Sequence, residues 1–259
     1  MNRYLLGSIA AAQLLVSPAT HAALIAYEPF DYATGALAGT SGGTGWSSAW
    51  TQTNATASVT SPGYAYTDSM ANSLAAAGNR ASLSGSNAGA FRSPTSSPDT
   101  TGTTLYVSFL AQASGTSYFG LSLFEGTGSE NLFLGAPGGT NGGAKWGIDS
   151  PGVVNKTVSA FDANALSLLV YRIDFASTTT ISLFVNPTLG SEPASADLTT
   201  TRTAFTWDRI RIQGNNTNGV DEIRMATTYA DVAPVPEPSA AIMLLSGTGV
   251  LLGFRRRSV

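Results

Sequence analysis

Thr104-Leu105-Tyr106-Val107-Ser108-Phe109-Leu110-Ala111-Gln112 decides how the chain is read. Leu105, Val107, Phe109 and Ala111 fall on one side of a period of two, and Tyr106, Ser108 and Gln112 on the other. That alternation is the signature of an antiparallel strand with one face in a core. Working outward, Phe119, Leu121 and Leu123 repeat it, Leu132 and Leu134 follow, and Trp146 and Ile148 come later. Leu169, Tyr171, Ile173 and Phe175 share a face. The Thr-rich turn Ser177–Thr180 then returns the chain to Ile181, Leu183 and Val185, which reads as a hairpin. Long helical patterns are missing. So many strands on a body of about 210 residues predict an all-β fold, two packed antiparallel sheets in a sandwich or jelly roll.

The flanks are less regular. Leu24–Phe30 reads as the first strand. Residues 52–100 carry a weak pattern, with short strands expected near Arg80–Leu83 and Ala90–Arg92 and a helical turn as one reading of Asp68–Ala77. Phe205 and Trp207 are out of phase with Ile210 and Ile212, so either a bulge lies at Asp208-Arg209 or the aromatics face outward. In Val220-Asp221-Glu222-Ile223-Arg224-Met225, Ile223 and Met225 point inward. Glu222 and Arg224 are expected to pair on the exposed face.

Both ends carry targeting features. Met1-Asn2-Arg3, the apolar Tyr4–Val16 and the small residues before Ala23 form a secretory signal peptide over 1–22, an N-terminal helix with cleavage after Ala22. At the other end, Pro236-Glu237-Pro238-Ser239 precedes the apolar run Ala240–Phe254 and then Arg255-Arg256-Arg257. Prolines stop a helix from extending backward, and arginines after an apolar run stay cytoplasmic. As a helix the run reaches only about 22 Å, short of the roughly 30 Å of bilayer hydrocarbon, and Gly247, Gly249 and Gly253 weaken it. A hydrophobic helix of this kind holds a chain in the inner membrane transiently. The expected division is therefore 1–22 signal peptide, 23–232 β-sandwich and 233–259 sorting signal.

What the body lacks is equally informative. Residues 23–234 hold 9 basic and 15 acidic side chains, a net charge of 9 − 15 = −6. With no basic patch, nucleic acid is not an expected partner. The chain has no cysteine, and its one histidine, His21, lies in the signal peptide. Ser-His-Asp and Cys-His catalysis, His-ligated zinc and thiolate chemistry are thereby excluded from the mature protein. Gly42-Gly43-Thr44-Gly45 is followed by neither a lysine nor a helix, so it does not read as a phosphate cradle.

The tail resembles the PEP-CTERM sorting signal of Gram-negative bacteria, on Pro236, Glu237, Pro238, the apolar run and Arg255, Arg256 and Arg257. The resemblance implies processing by an exosortase, after signal peptidase has acted at the front, and delivery to the cell surface or outside the cell. The body resembles the concanavalin A-like (laminin-G-like) jelly rolls, on Tyr27-Glu28-Pro29-Phe30-Asp31-Tyr32, Gly42–Trp46 and Val220–Arg224. That resemblance implies that the first and last strands lie side by side, bringing Glu28 near Asp221–Arg224.

Three readings of the body follow. The leading one is a non-enzymatic exported protein of the surface or extracellular polysaccharide matrix, with no catalytic residues and no bound cofactor. The second is a lectin-like module, with Trp46, Trp50 and Trp146 as glycan contacts among aromatics that include Tyr64, Tyr66, Tyr118 and Trp207. The third is a polysaccharide hydrolase. It needs two carboxylates facing a sugar, yet Glu28/Asp31 and Asp221/Glu222 diverge on an uninterrupted strand. Calcium, held by Glu28, Asp221 and Glu222 where the chain ends meet, is the one cation candidate. Asn54, Asn155 and Asn215 stand in Asn-x-Thr contexts.

Overall fold

The computed structural model describes residues 24–150, 156–214 and 218–235. The expected signal peptide with Ala22, the sorting residues Pro236, Glu237, Pro238 and Arg255–Arg257, the run 240–254, Asn155 and Asn215 lie outside the described residues. In chain order the strands are β1 (Ala26–Glu28), β2 (Gly35–Ala36), β3 (Thr51–Thr60), β4 (Arg80–Arg92), β5 (Thr104–Gln112), β6 (Phe119–Glu125) and β7 (Ser129–Ala136). A one-turn helix α1 (Gly139–Gly142) leads to β8 (Lys145–Asp149), β9 (Thr157–Asp162), β10 (Ser167–Asp174) and β11 (Thr178–Val185). Then come β12 (Leu198–Thr203), β13 (Arg209–Gly214), β14 (Asn218–Ala226) and a second short helix, α2 (Tyr229–Val232). No described helix is long and apolar enough to cross a membrane.

Every strand pairing is antiparallel. One layer runs β12-β11-β10-β5-β14 and the other β4-β13-β6-β7-β8-β9. The layers are joined through β4. Its first residues pair with β14 (Ala81 with Val220, Leu83 with Asn218), and its last pair with β13 (Ala90 with Ile212, Arg92 with Ile210). β1 lies end to end with β4 along the same edge of β14, Glu28 opposite Ile223. The expected adjacency of first and last strands is therefore present.

The two layers face one another across a single core that includes Leu105, Val107, Phe109, Leu121, Leu134, Trp146, Tyr171 and Ile212. Two hydrogen bonds cross it: Tyr171 Oη donates to the Gly147 carbonyl at 3.0 Å and Trp146 Nε1 to Ser167 Oγ at 3.0 Å. Buried polar atoms need such partners, and here they also fix the offset of the layers.

Several expectations are corrected. β5 is not half-buried: Leu105 through Ala111 are all buried. Its outer side chains, Tyr106 and Leu110, enter a second cluster with Val170, Phe184, Leu189, Tyr229 and Val232, because α2 and adjacent loops cover that face. The two short strands expected between residues 80 and 92 are one strand of 13 residues. Asp68–Ala77 is not helical; Asp68 organises a turn by accepting the backbone N–H of Met70 at 2.9 Å and of Asn72 at 2.8 Å. Phe205 and Trp207 neither face outward nor mark a bulge. Both precede β13 and are buried, with Trp207 Nε1 donating to the Pro98 carbonyl at 3.2 Å. The Gly42–Gly45 loop packs on the backbone of β1. A Cβ at Gly43 would stand 2.1 Å from the Tyr27 carbonyl oxygen, and one at Gly45 1.9 Å from that of Ile25. Both take positive φ, and no side chain fits there.

Candidate functional site

β1 and β14 bring together the acids singled out in the sequence, but as interior groups. Glu28, Asp221 and Glu222 are all fully buried. Glu28 Oε1 accepts the Phe30 N–H at 2.8 Å, and Oε2 accepts Trp50 Nε1 and the Tyr32 hydroxyl, each at 2.8 Å. Oε2 also meets Arg92 NH1. Arg92 in turn donates to the Ser48 and Gly42 carbonyls at 2.9 and 2.8 Å, and its guanidinium lies 4.9 Å from the Trp46 ring centre. Glu222 Oε1 accepts the Ala77 N–H at 2.8 Å. Its Oε2 accepts the Tyr27 hydroxyl at 2.9 Å and Arg224 NH2 at 2.6 Å. Asp221 Oδ2 accepts the Tyr64 N–H at 2.7 Å and Oδ1 the Glu222 N–H at 2.8 Å.

Burial pushes all three carboxyls up. At Asp221 the value reaches about 8, because desolvation outweighs its two backbone donors and the Glu222 charge adds to it. Glu222 sits at a bulge of β14 with φ 53°, so it does not continue the alternation that separates it from Asp221.

The expected exposed pairing of Glu222 and Arg224 is thus corrected: the pair forms, but beneath Ala75–Ala77, with Arg224 only 5% exposed. The calcium candidates Glu28, Asp221 and Glu222 meet at this junction, where each carboxylate accepts from internal N–H, O–H or guanidinium donors. Among the described residues no group of three or more acidic or histidine side chains is arranged to hold a metal ion.

The three tryptophans expected as glycan contacts lie at different depths. Trp146 and Trp50 are buried, each with its indole N–H committed inside. Trp46 is half-buried, donating to the Tyr27 carbonyl at 3.0 Å and carrying Arg92 on its ring. Large aromatic side chains in a sandwich are worth most to the core, where Trp50 and Trp146 lie, while Trp46 packs against its edge.

One open surface among the described residues is centred on Tyr64. Two cavities of about 290 Å³ each share its ring as a wall. One is lined by Tyr64, Arg80, Ser82, Gln112, Ser114 and Gly219. The other lies over Pro62, Gly63 and Ala76–Gly78, with the Glu222 network beneath its floor at Ala77. Three contacts position Tyr64. Its N–H is held by Asp221, the Arg80 guanidinium lies 5.1 Å from its ring centre, and its hydroxyl overhangs Gly219, where a Cβ would stand 2.1 Å from Oη.

Arg80 donates to the Pro62 carbonyl, and its charge acts on the buried Asp221 behind Tyr64. Gln112, also in the lining, donates through Nε2 to the Asn164 carbonyl at 3.0 Å. No carboxylate lines either cavity. The cleft thus offers an aromatic surface, one cation and several neutral hydrogen-bonding groups. Sequence reasoning had named Tyr64 only among many aromatics and missed Arg80, Ser82, Gln112 and Ser114. They meet because Gly219 stands opposite both Ser82 on β4 and Gln112 on β5, and pairing across 137 positions leaves no local signal.

Comparison with known proteins gives a specific result at the tail and a general one for the body. No curated protein matches the chain in sequence. Among solved structures it is similar to the T. cruzi calreticulin globular domain at 10% identity and TM-score 0.46, covering 80% of this chain and 95% of that one. It is similar to the potassium-bound Emp46p carbohydrate recognition domain at 9% identity and TM-score 0.40, covering 59% and 85%. It is also similar to an endo-1,3-beta-glucanase from Streptomyces sioyaensis at 9% identity and TM-score 0.42, covering 81% and 97%. Likeness of this degree says nothing of what this chain binds or does. Residues 234–257, by contrast, match the PEP-CTERM protein-sorting motif, a signal that indicates export, a membrane-held precursor and exosortase-dependent processing for a surface or extracellular location.

Proposed function

We propose that the chain is a non-enzymatic exported protein whose β-sandwich recognises a saccharide of the cell surface or extracellular matrix through the Tyr64 cleft. The observation that carries this is the composition of the cleft: a tyrosine whose backbone is held by Asp221 and whose ring lies under Arg80, beside neutral hydroxyl and amide groups, with no carboxylate in the lining. Sugars present apolar C–H faces to aromatic rings and hydroxyls to donors and acceptors, and a few converging polar groups fix their orientation. Arg80 adds a preference for sugars bearing a carboxylate or sulfate.

The non-enzymatic half of the reading rests on the carboxylates. Glycoside hydrolysis needs a pair open to substrate and about 5–10 Å apart. The acids gathered at the β1–β14 junction have their oxygens engaged by interior donors instead.

The test is retention of the secreted protein in affinity electrophoresis through gels containing neutral or acidic polysaccharides, with and without calcium. Retardation that Tyr64→Ala and Arg80→Ala each abolish, while Trp46→Phe leaves it intact, is the expected result. Absence of retardation in every gel would overturn the saccharide reading. Reducing-sugar release that Glu222→Gln or Glu28→Gln removes would overturn the non-enzymatic one.

A further inference from the structure

The described chain ends strapped to the outer face of the first layer. Tyr229, Val232 and Ala233 are buried there. Ser108 Oγ donates to the Val232 carbonyl at 2.6 Å, the Gly190 N–H to the Ala233 carbonyl at 2.7 Å, and the Tyr229 hydroxyl to the Thr188 carbonyl at 2.9 Å. The Val235 side chain lies on Gly190, close enough that a Cβ there would stand 2.7 Å from Val235 Cγ2. The matched sorting motif begins at residue 234, so the motif starts inside the strap.

Reach then becomes limiting. An extended chain spans at most about 3.6 Å per residue, so while Ala233 is held, three further residues reach at most about 11 Å and seven at most about 25 Å. A compact body of this size has a radius of gyration of about 16 Å. A membrane-embedded enzyme approaching Pro236-Glu237-Pro238 would meet the sandwich itself. If residues 228–235 come away, the free tether runs from Ala226 to Pro236, about 36 Å.

We infer that the strap over residues 228–235 gates the sorting step: it withholds the motif from the processing enzyme while closed, and its local release sets the rate of processing. Short terminal elements open locally without global unfolding. When only the open form is competent, the observed rate is the open-form rate multiplied by the fraction that is open. This inference rests on exosortase-dependent processing of the tail.

The test is pulse-chase of the whole precursor in cells carrying the exosortase, read by intact mass. Eight Gly/Ser residues inserted between Val235 and Pro236 leave every strap residue in place while extending the tether by up to about 29 Å. The expected result is processing at least about threefold faster than wild type, the factor by which a mostly closed gate would hold it back. Ser108→Ala with Tyr229→Phe is expected to act in the same direction and to add nothing in the spacer background. Should the substituted strap fail to fold, the spacer variant decides alone, and a spacer variant processed at or below the wild-type rate overturns the gate. Failure of the underlying reading looks different: wild type would then be processed no faster than a variant with Pro236, Glu237 and Pro238 replaced by alanine, and the gate would fall with it.

Discussion

Glu28 and Arg92 form an ion pair in which neither side chain reaches water, with exposures of 0% and 2%. One comes from the first strand and the other from the end of β4, so the pair ties the chain's beginning to the seam between layers. The surrounding donors and carbonyls satisfy both groups. Breaking such a pair from one side leaves a buried charge uncompensated, at a cost of about 3–5 kcal/mol. Arg92→Ala is expected to lose that much in urea unfolding, and Glu28→Gln, which keeps the shape but leaves the Arg92 charge buried without its partner, a comparable amount.

Stability should depend on pH through Asp221. Its carboxyl titrates at about 8 in the fold against an ordinary value of 3.8. The folded state therefore keeps a proton that the unfolded state gives up between those values. That contribution is fully present below about pH 4 and is lost as pH rises through about 8. Glu28 and Glu222 are raised by burial in the same sense. The midpoint of thermal unfolding is expected to fall as pH rises across that window, and Asp221→Asn is expected to flatten the slope. A slope equal in wild type and variant would refute the assignment.

Gly219→Ala should act on the cleft from behind. The new Cβ would lie 2.1 Å from the Tyr64 hydroxyl, so the ring must leave its position beneath Arg80. Overpacking of this kind costs about 1–3 kcal/mol. Loss of polysaccharide retention with the far-ultraviolet circular dichroism spectrum unchanged is the expected pair of readings.

The outer face of the second layer carries its own arginine–aromatic ladder. Arg209 lies 4.3 Å from the Phe91 ring centre and Arg211 4.5 Å from that of Phe124, while Arg211 also reaches Glu130 at 2.8 Å. Cation–π contacts at half-covered sites contribute about 0.5–2 kcal/mol. Arg211→Ala should lower stability by an amount in that range, and Arg211→Lys should recover only part of it, since ammonium lacks the planar stacking surface.

Strands with large alternating side chains were legible in the sequence: β5, β6, β10 and β11 appear where Leu105–Ala111, Phe119–Leu123, Leu169–Phe175 and Ile181–Val185 place them. β4 was not, because Ser84-Gly85 and Ala88-Gly89-Ala90 supply no large apolar side chains to mark a period. Its length is set by pairing with β3, β13 and β14, all outside its own sequence. The tail was readable because its signal is local and ordered along the chain. The open cleft was hidden for the opposite reason. Tryptophan drew attention as a sugar platform, but its area is what the core recruits, and a tyrosine held by an arginine was left at the surface.

The strand shared by the two layers has a kinetic consequence. Since β4 pairs with β14 at one end and β13 at the other, neither layer completes its hydrogen bonding without the other. Unfolding should be one cooperative transition seen identically by tryptophan fluorescence and circular dichroism. Folding must first join segments more than a hundred residues apart, which places it among the slow, high-contact-order sandwiches, in milliseconds to seconds. With no cysteine in the chain, no oxidative step can shorten that search, so the time to reach the native state should be the same in reducing and oxidising buffer.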